Sequence, residues 1–266
     1  MRNNSFKFLS KHGTYHYLKA LSRNGERVVV SRYGDGEYFI MLGMKGKNSA
    51  RQEVTEKLTK LLNNSFKKSG QLVCLPNKSK ISKENLHEDD NILKNKIGRY
   101  IIQNSNHSLY GQVQWRDVDL LRYNSDLITD FFIGRTLVIT GHKEVCEIAF
   151  RSRIGVMVDV YGVPKKNASV SYINIRNDLF SISNKYKNMI FSCGAISKVL
   201  ISDLIDKCRC NLIDLGSGIG VIINPYSTSY QVVRSWPGVL RRKDLKIVKE
   251  YSDNFFKTLS DKILGD

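Results

Sequence analysis

At 266 residues, 41% of them hydrophobic and 25% charged, with four prolines, the chain is long enough and apolar enough to bury a substantial core. The formal net charge of +17 predicts an anionic partner without saying which one. No run approaches the ~18 apolar residues of a membrane span, the first residues lack the apolar stretch of a signal peptide, and the expected location is the cytoplasm. Five cysteines, at 74, 146, 193, 208 and 210, form no C-x-x-C pair, which excludes a disulfide framework and a zinc ribbon; Cys208-x-Cys210 has no second half.

In chain order, residues 5 to 22 read as a helix with Phe8, Leu9, Tyr15, Leu18 and Leu21 on one face. A strand is expected at 27 to 32, followed by the glycine-bracketed turn Arg32-Tyr33-Gly34-Asp35-Gly36-Glu37, which opens a helix. Gly34 and Gly36 let the chain fold sharply enough for Asp35 and Glu37 to converge. Two convergent carboxylates suit a hard cation, Mn²⁺ or Mg²⁺, and such a cation suits a diphosphate. The plain alternative makes Asp35 an N-cap and Glu37 a first-turn acid facing the helix dipole.

A capping box at Ser49 to Gln52 predicts a helix carrying Val54, Leu58, Leu61, Leu62 and Phe66, with a short strand at 71 to 75 after it. Residues 82 to 103 read as another helix, and Tyr110, Trp115, Arg116 and Tyr123 cluster in a region of mixed period, where Trp115 is either a stacking platform or core. Thr136 to Thr140 is a buried strand ending at Gly141-His142; Gly141 would let a backbone N–H approach a phosphate, and His142 is a candidate acid, base or diphosphate partner. Strands are expected at 156 to 160, 189 to 192 and 211 to 215, with Asn174 capping a helix and a further helix over Ala195 to Lys207. Gly194 marks the exit from the strand before that helix, and Asn167 lies in a loop where its amide can bond a base, a ribose or neighbouring backbone. Residues 239 to 264 form a basic amphipathic helix that either rests on an anionic membrane surface or covers the sheet. Repeated strand, glycine and helix units are the sequence form of a Rossmann-like, mostly parallel α/β sheet flanked by helices, here in a single domain over 1–266, since no linker divides it.

Arg32-Tyr33-Gly34-Asp35-Gly36-Glu37 resembles the Arg-Phe-Gly-Asp-Gly-Glu signature of bacterial glycosyltransferases with the D-type fold, whose hallmark is an Asp-x-Glu metal motif. Leu137 to Gly141, Val163 to Ala168 and the block from Met189 to Gly216 resemble the same family in the same order, so the likeness spans roughly 25 to 220. It implies transfer of a sugar from a nucleotide-diphosphate donor, a UDP-sugar above all, to a glycan or lipid-linked acceptor. It also implies a metal on Asp35 and Glu37, donor contacts from Arg32, Gly34, Gly36, Gly141, Asn167 and Gly194, and catalytic roles for His142 and Asp214. The sequence departs from the signature at Tyr33, where the family has Phe, and at Gly141-His142-Lys143, which lacks an acidic residue after the glycine.

Two other classes compete. Leu212 to Gly220 resembles the Gly-rich first motif of S-adenosylmethionine-dependent methyltransferases, but the 46 residues after it are too few for the βα units that would have to follow. A basic adaptor for nucleic acid or membranes fits the charge, yet no nucleic-acid-binding module is recognisable and no nucleic-acid partner is expected.

Overall fold

The computed structural model describes residues 7–44, 52–75, 107–113, 115, 125–154, 158–223 and 245–264. Its centre is a sheet of eight parallel strands among these residues: β1 (Lys7–Phe8), β2 (Val29–Arg32), β3 (Leu72–Cys74), β4 (Leu109–Gly111), β5 (Thr136–Thr140), β6 (Asp159–Gly162), β7 (Asn188–Ser192) and β8 (Asn211–Asp214). They lie in the order β1-β4-β3-β2-β8-β7-β5-β6. Every pairing between neighbours is parallel, so all carboxyl ends share one edge. The α/β class expected from the sequence is what the chain adopts.

Strands covered on both faces read as continuous apolar runs, which is why Val28 to Val30 and Leu137 to Ile139 show no alternation. The pleat still sorts them. Val28, Val30, Val138, Ile190 and Ile213 pack into one core, whereas Val29, Leu137, Ile139, Met189, Phe191 and Leu212 pack into the other. The first core is roofed by α1 (Lys11–Arg23), α4 (Ser125–Asp130), α5 (Lys143–Ile154), α8 (Gly218–Ile223) and α9 (Leu245–Leu264). The second is roofed by α2 (Asp35–Met41), α3 (Glu56–Lys67), α6 (Tyr172–Ile182) and α7 (Ile196–Leu204).

Several boundaries differ from the sequence reading for local reasons. The first helix begins at Lys11, because Ser10 Oγ accepts the Gly13 N–H at 3.1 Å; residues 7 and 8 instead form the edge strand β1 against β4, which the mixed period around Tyr110 concealed. Helix α3 begins at Glu56 with Thr55 as its cap (Leu58 N–H to Oγ1, 3.2 Å), so a start at the Ser49 to Gln52 box is too early; Ser49 itself lies outside the described residues. Asn174 sits inside α6 rather than capping it, because a 3-10 turn over Ala168–Ser171 feeds the helix at Tyr172. β6 falls at 159–162, later than expected. The helix expected over 82 to 103 lies outside the described residues.

Helix α9 settles the alternative drawn for the C-terminal segment. Phe255, Phe256 and Leu259 are buried against Phe132 and Phe150, with Phe255 edge-on to Phe132 at 5.3 Å and Phe256 to Phe150 at 5.4 Å. The described apolar residues of this helix are spent on the core rather than presented to a lipid surface. No described helix is long and apolar enough to cross a membrane.

Candidate active site

The site begins with the last residues of β2 and β8. Val30 pairs with Ile213, which brings Arg32 and Asp214 to the same edge one step later, and the Arg32 backbone N–H donates to Asp214 Oδ2 at 3.0 Å. Beyond Arg32 the chain turns at Gly34, the N-cap of α2, and Glu37 reaches back so that its Oε2 accepts the Gly34 N–H at 2.9 Å. Glu37 is thus a first-turn acid, as the plain alternative had it, but the N-cap is Gly34 rather than Asp35, and the bond draws Glu37 under the turn. Asp35 is the first residue of α2; its side chain lies outside the described residues.

Between the two strands stands a residue that the sequence reading missed. Lys198, in the first turn of α7, is buried, and its Nζ lies 2.9 Å from Glu37 Oε1 and 2.9 Å from Asp214 Oδ2, with the Gly194 carbonyl at 3.3 Å. Its side chain is 2% exposed and that of Asp214 0%, so none of this charge is shared with water. Burial pushes the Lys198 ammonium down, but Asp214 and Glu37 outweigh it and the net shift is upward. Burial likewise pushes the Glu37 carboxyl up, and Lys198, Arg32 and the Gly34 N–H reverse it, leaving Glu37 below the ordinary carboxylate range. Glu37 and Lys198 are therefore charged at neutral pH, and with Asp214 and Arg32 they make a cluster of two acids and two bases. A signal for Lys198 existed: apart from Ser197 it is the one polar residue in the run Ala195 to Ile201, and a charge set in so apolar a turn must find a partner.

Three buried polar atoms here have no hydrogen-bond partner among the described residues: Ser31 Oγ, Arg32 Nε and Asp214 Oδ1. Buried polar groups are almost always paired, so three orphans at one strand edge mark a place built for something else to bind. Arg32 makes no ion pair among the described residues at salt-bridge distance, which leaves its guanidinium available to an anion.

The remaining expected residues divide between this cluster and the adjoining strand ends. Gly34 belongs to the cluster through its N–H, and Gly36 lies in the first turn of α2. Gly194 follows β7 with φ +68, a conformation that favours glycine, and its carbonyl faces Lys198. Gly141 and His142 follow β5; a Cβ on Gly141 would meet the Lys165 Cα at 3.2 Å, so that glycine admits the neighbouring loop. His142 is exposed, with its backbone N–H donating to Thr140 Oγ1 at 3.2 Å. Asn167, at φ 50, has its Oδ1 on the Glu53 N–H at 2.8 Å, the neighbouring-backbone role among those its amide offered. The chain leaves β5 toward β6 and β7 toward β8, in opposite directions along the sheet, the arrangement beside which open α/β sheets bind ligands. Gly141 and Gly194 flank that switch.

Trp115 is core. It is 2% exposed, and its Nε1–H donates to the Asp214 backbone carbonyl at 2.7 Å, which fixes the end of β8. The glycine-rich run after β8 serves the same packing: a Cβ on Gly218 would meet the Trp115 Cβ at 2.6 Å, and one on Gly216 would meet Arg32 Nη2 at 3.0 Å. β8 is the last described strand, with only α8 and α9 after it.

Three solved structures are similar to this one. A selenomethionine-substituted structure of domain of unknown function 1792 (DUF1792) gives a TM-score of 0.60 at 23% identity, over 86% of this chain and 83% of that one. A second DUF1792 structure, described as having a distinct glycosyltransferase fold, gives 0.59 at 23% identity over the same shares. The chain shares their fold. A third structure, described as a new glycosyltransferase (DUF1792) from Streptococcus sanguinis, gives 0.54 at 17% identity over 85% of each chain. No family model matches the sequence, and no curated relative does.

The metal expected from the sequence can be tested against the donor set. Both oxygens of Glu37 are engaged, one by the Lys198 ammonium and one by the Gly34 N–H, and among the described residues no group of three His, Cys, Asp or Glu could hold an ion. On the Glu37 side the Lys198 ammonium is the cation in contact with the carboxylate, and the side chain of Asp35, the other expected ligand, lies outside the described residues.

Proposed function

We propose that this chain is a glycosyltransferase that takes a sugar from a nucleotide-diphosphate donor, a UDP-sugar foremost, and passes it to a glycan or lipid-linked acceptor. The observation that carries the reading is the group of unpartnered polar atoms, Ser31 Oγ, Arg32 Nε and Asp214 Oδ1, at the carboxyl ends of β2 and β8. The shared fold of structures described as glycosyltransferases supports it.

In this reading Arg32 takes the donor diphosphate, since a guanidinium matches phosphate oxygens two at a time and offsets the charge that develops on the leaving nucleotide. Lys198 holds Glu37 ionised and fixes both Glu37 and Asp214 in place. Asp214 Oδ1, an acceptor with nothing to accept, takes a substrate hydroxyl. His142, exposed after β5, serves the acceptor side. Dependence on Mn²⁺ or Mg²⁺ through Asp35 and Glu37 is a separable part of this reading, tested by the arms with and without Mn²⁺ below.

Thermal shift with UDP, GDP, S-adenosylmethionine and an oligonucleotide, each with and without Mn²⁺, tests the reading. The expected result is stabilisation of the full chain by UDP and its loss in Arg32→Met. Stabilisation by S-adenosylmethionine alone would transfer the proposal to a methyltransferase. No response to any nucleotide would overturn it.

A further inference from the structure

At the opposite edge of the sheet, the turn that leads from α7 into β8 carries Cys208 and Cys210, the pair for which the sequence offered no role. Their sulfurs lie 3.0 Å apart, with the Cys210 S–H donating to Cys208 Sγ. Arg27 is clamped beside them: its Nη1 donates to the Ile205 carbonyl at 2.8 Å and its Nε to the Cys210 carbonyl at 2.9 Å. That grip turns Nη2 toward Cys208 Sγ at 3.9 Å. Arg27 has no carboxylate partner at ion-pair distance among the described residues, so Cys208 is the anion-forming group closest to its charge. Both cysteines are buried, at 7% and 5% exposure, and with Arg27 they line a cavity of about 590 Å³ that also receives Lys187 and Arg209 and the acids Glu26, Asp130 and Asp206.

The other three thiols show what this environment changes. Burial pushes Cys146 and Cys193 up to about 12 and Cys74 higher still, so they are inert packing groups. Cys208 moves the other way, to about 7: the hydrogen bond from Cys210 lowers it most, burial opposes, and Arg27 adds to the lowering. Cys210 moves up, as the donor of that bond must.

We propose that Cys208 and Cys210 form a thiol–disulfide site, with Cys208 the attacking sulfur and Cys210 the resolving one, open to small two-electron oxidants of the hydroperoxide class. The Cys208 thiolate attacks one peroxide oxygen; the S–O bond forms, the O–O bond breaks, and the departing hydroxide takes up the proton released from Cys208 to leave as water. Cys210 sulfur then attacks the sulfenic sulfur; the S–S bond forms, the S–O bond breaks, and the second oxygen leaves as water with the Cys210 proton. Two thiols lose two electrons in all, and one peroxide becomes two waters. A dithiol reductant reverses the bond by exchange.

The test uses the full chain and hydrogen peroxide, followed by unfolding, alkylation with iodoacetamide and peptide mass mapping. The expected result is a loss of about 2 Da, protection of Cys208 and Cys210 from alkylation while Cys74, Cys146 and Cys193 stay reactive, and full reversal by dithiothreitol. In Cys210→Ser the resolving thiol is gone, and dimedone should capture a sulfenic acid on Cys208; in Cys208→Ser no adduct should form at Cys210. The proposal is overturned if both thiols of the unmutated chain remain alkylatable after peroxide, or if Cys146 or Cys193 oxidises as readily.

Discussion

The two ends of β8 each hold a cation beside groups that can carry negative charge, and they handle it in opposite ways. At the carboxyl end Lys198 is sealed between Glu37 and Asp214, and with Arg32 the charges balance. At the amino end Arg27 is exposed, tied to two carbonyls and faced by a thiol that balances its charge only when ionised. A closed, neutral cluster is rigid and insensitive to solution conditions near neutrality, whereas an open, unbalanced one responds to them. The same strand therefore joins an end suited to positioning with an end suited to reaction.

The largest expected effect comes from breaking the closed end. Lys198→Met removes the cation in direct contact with both carboxylates and leaves Arg32 alone to offset two acids, a loss of about 3–5 kcal/mol, or roughly 6–20 °C in Tm for a chain of this size. Its pH dependence carries the sharper sign. In the unmutated chain the Glu37 contribution is present above the ordinary carboxyl value of 4.5 and is lost as pH falls through its lower folded value. The Lys198 contribution is present below 10.5 and is lost as pH rises through its higher folded value. Tm should thus be level from pH 5 to 8. Without the ammonium, burial governs Glu37 and raises it, so the folded state binds more protons than the unfolded one and the variant should gain stability as pH falls from 8 to 5. A level profile for Lys198→Met would mean that the three groups are not coupled.

A smaller effect separates the open end. Arg27→Met should slow alkylation of Cys208 at pH 7 by about threefold to tenfold, measured by timed iodoacetamide labelling and peptide mapping, because the thiolate loses its cationic neighbour. Tm should move less than for Lys198→Met, since the guanidinium is exposed and its charge is screened. An unchanged labelling rate would assign the reactivity of Cys208 to Cys210 alone.

How much of this was legible in the sequence follows from the range of the interactions involved. Strand–glycine–helix units announce themselves through local pattern, and β2, β5, β7 and β8 all fall where the apolar runs put them. β1 and β4 do not, because strands of two and three residues at a sheet edge leave almost no pattern. At the site, Arg32, Gly34 and Glu37 are neighbours in sequence and could be read as one turn. Lys198 is 161 positions from Glu37, and nothing local says that α7 will place it there. Sequence spacing showed two acids and suggested an external cation; the fold supplies an internal one to Glu37. The Cys208-x-Cys210 pair was visible, but Arg27, which gives it chemistry, lies across the sheet on the approach to β2.

The smallest prediction concerns the one departure from the Arg-Phe-Gly-Asp-Gly-Glu pattern. Tyr33 is wholly buried, edge-on to Phe66 at 5.0 Å, and its hydroxyl meets Ser65 Oγ at 2.9 Å while Ser65 Oγ also donates to the Leu62 carbonyl. With Ser65 donating to Leu62, the Tyr33 O–H is the donor in this pair, and the phenol is pushed up by burial and stays neutral. Tyr33→Phe keeps the ring and its contact with Phe66 but removes that donor, leaving Ser65 Oγ one acceptor site short; the expected cost is about 1 kcal/mol, read by urea unfolding at constant m-value. The bond ties the acidic turn to α3 and involves neither Lys198 nor any of the orphaned atoms, so UDP stabilisation should survive in the variant. If Tyr33→Phe abolished the nucleotide response while lowering stability by no more than this, the turn would depend on α3 for its alignment, and the closed cluster around Lys198 would not be sufficient to position it.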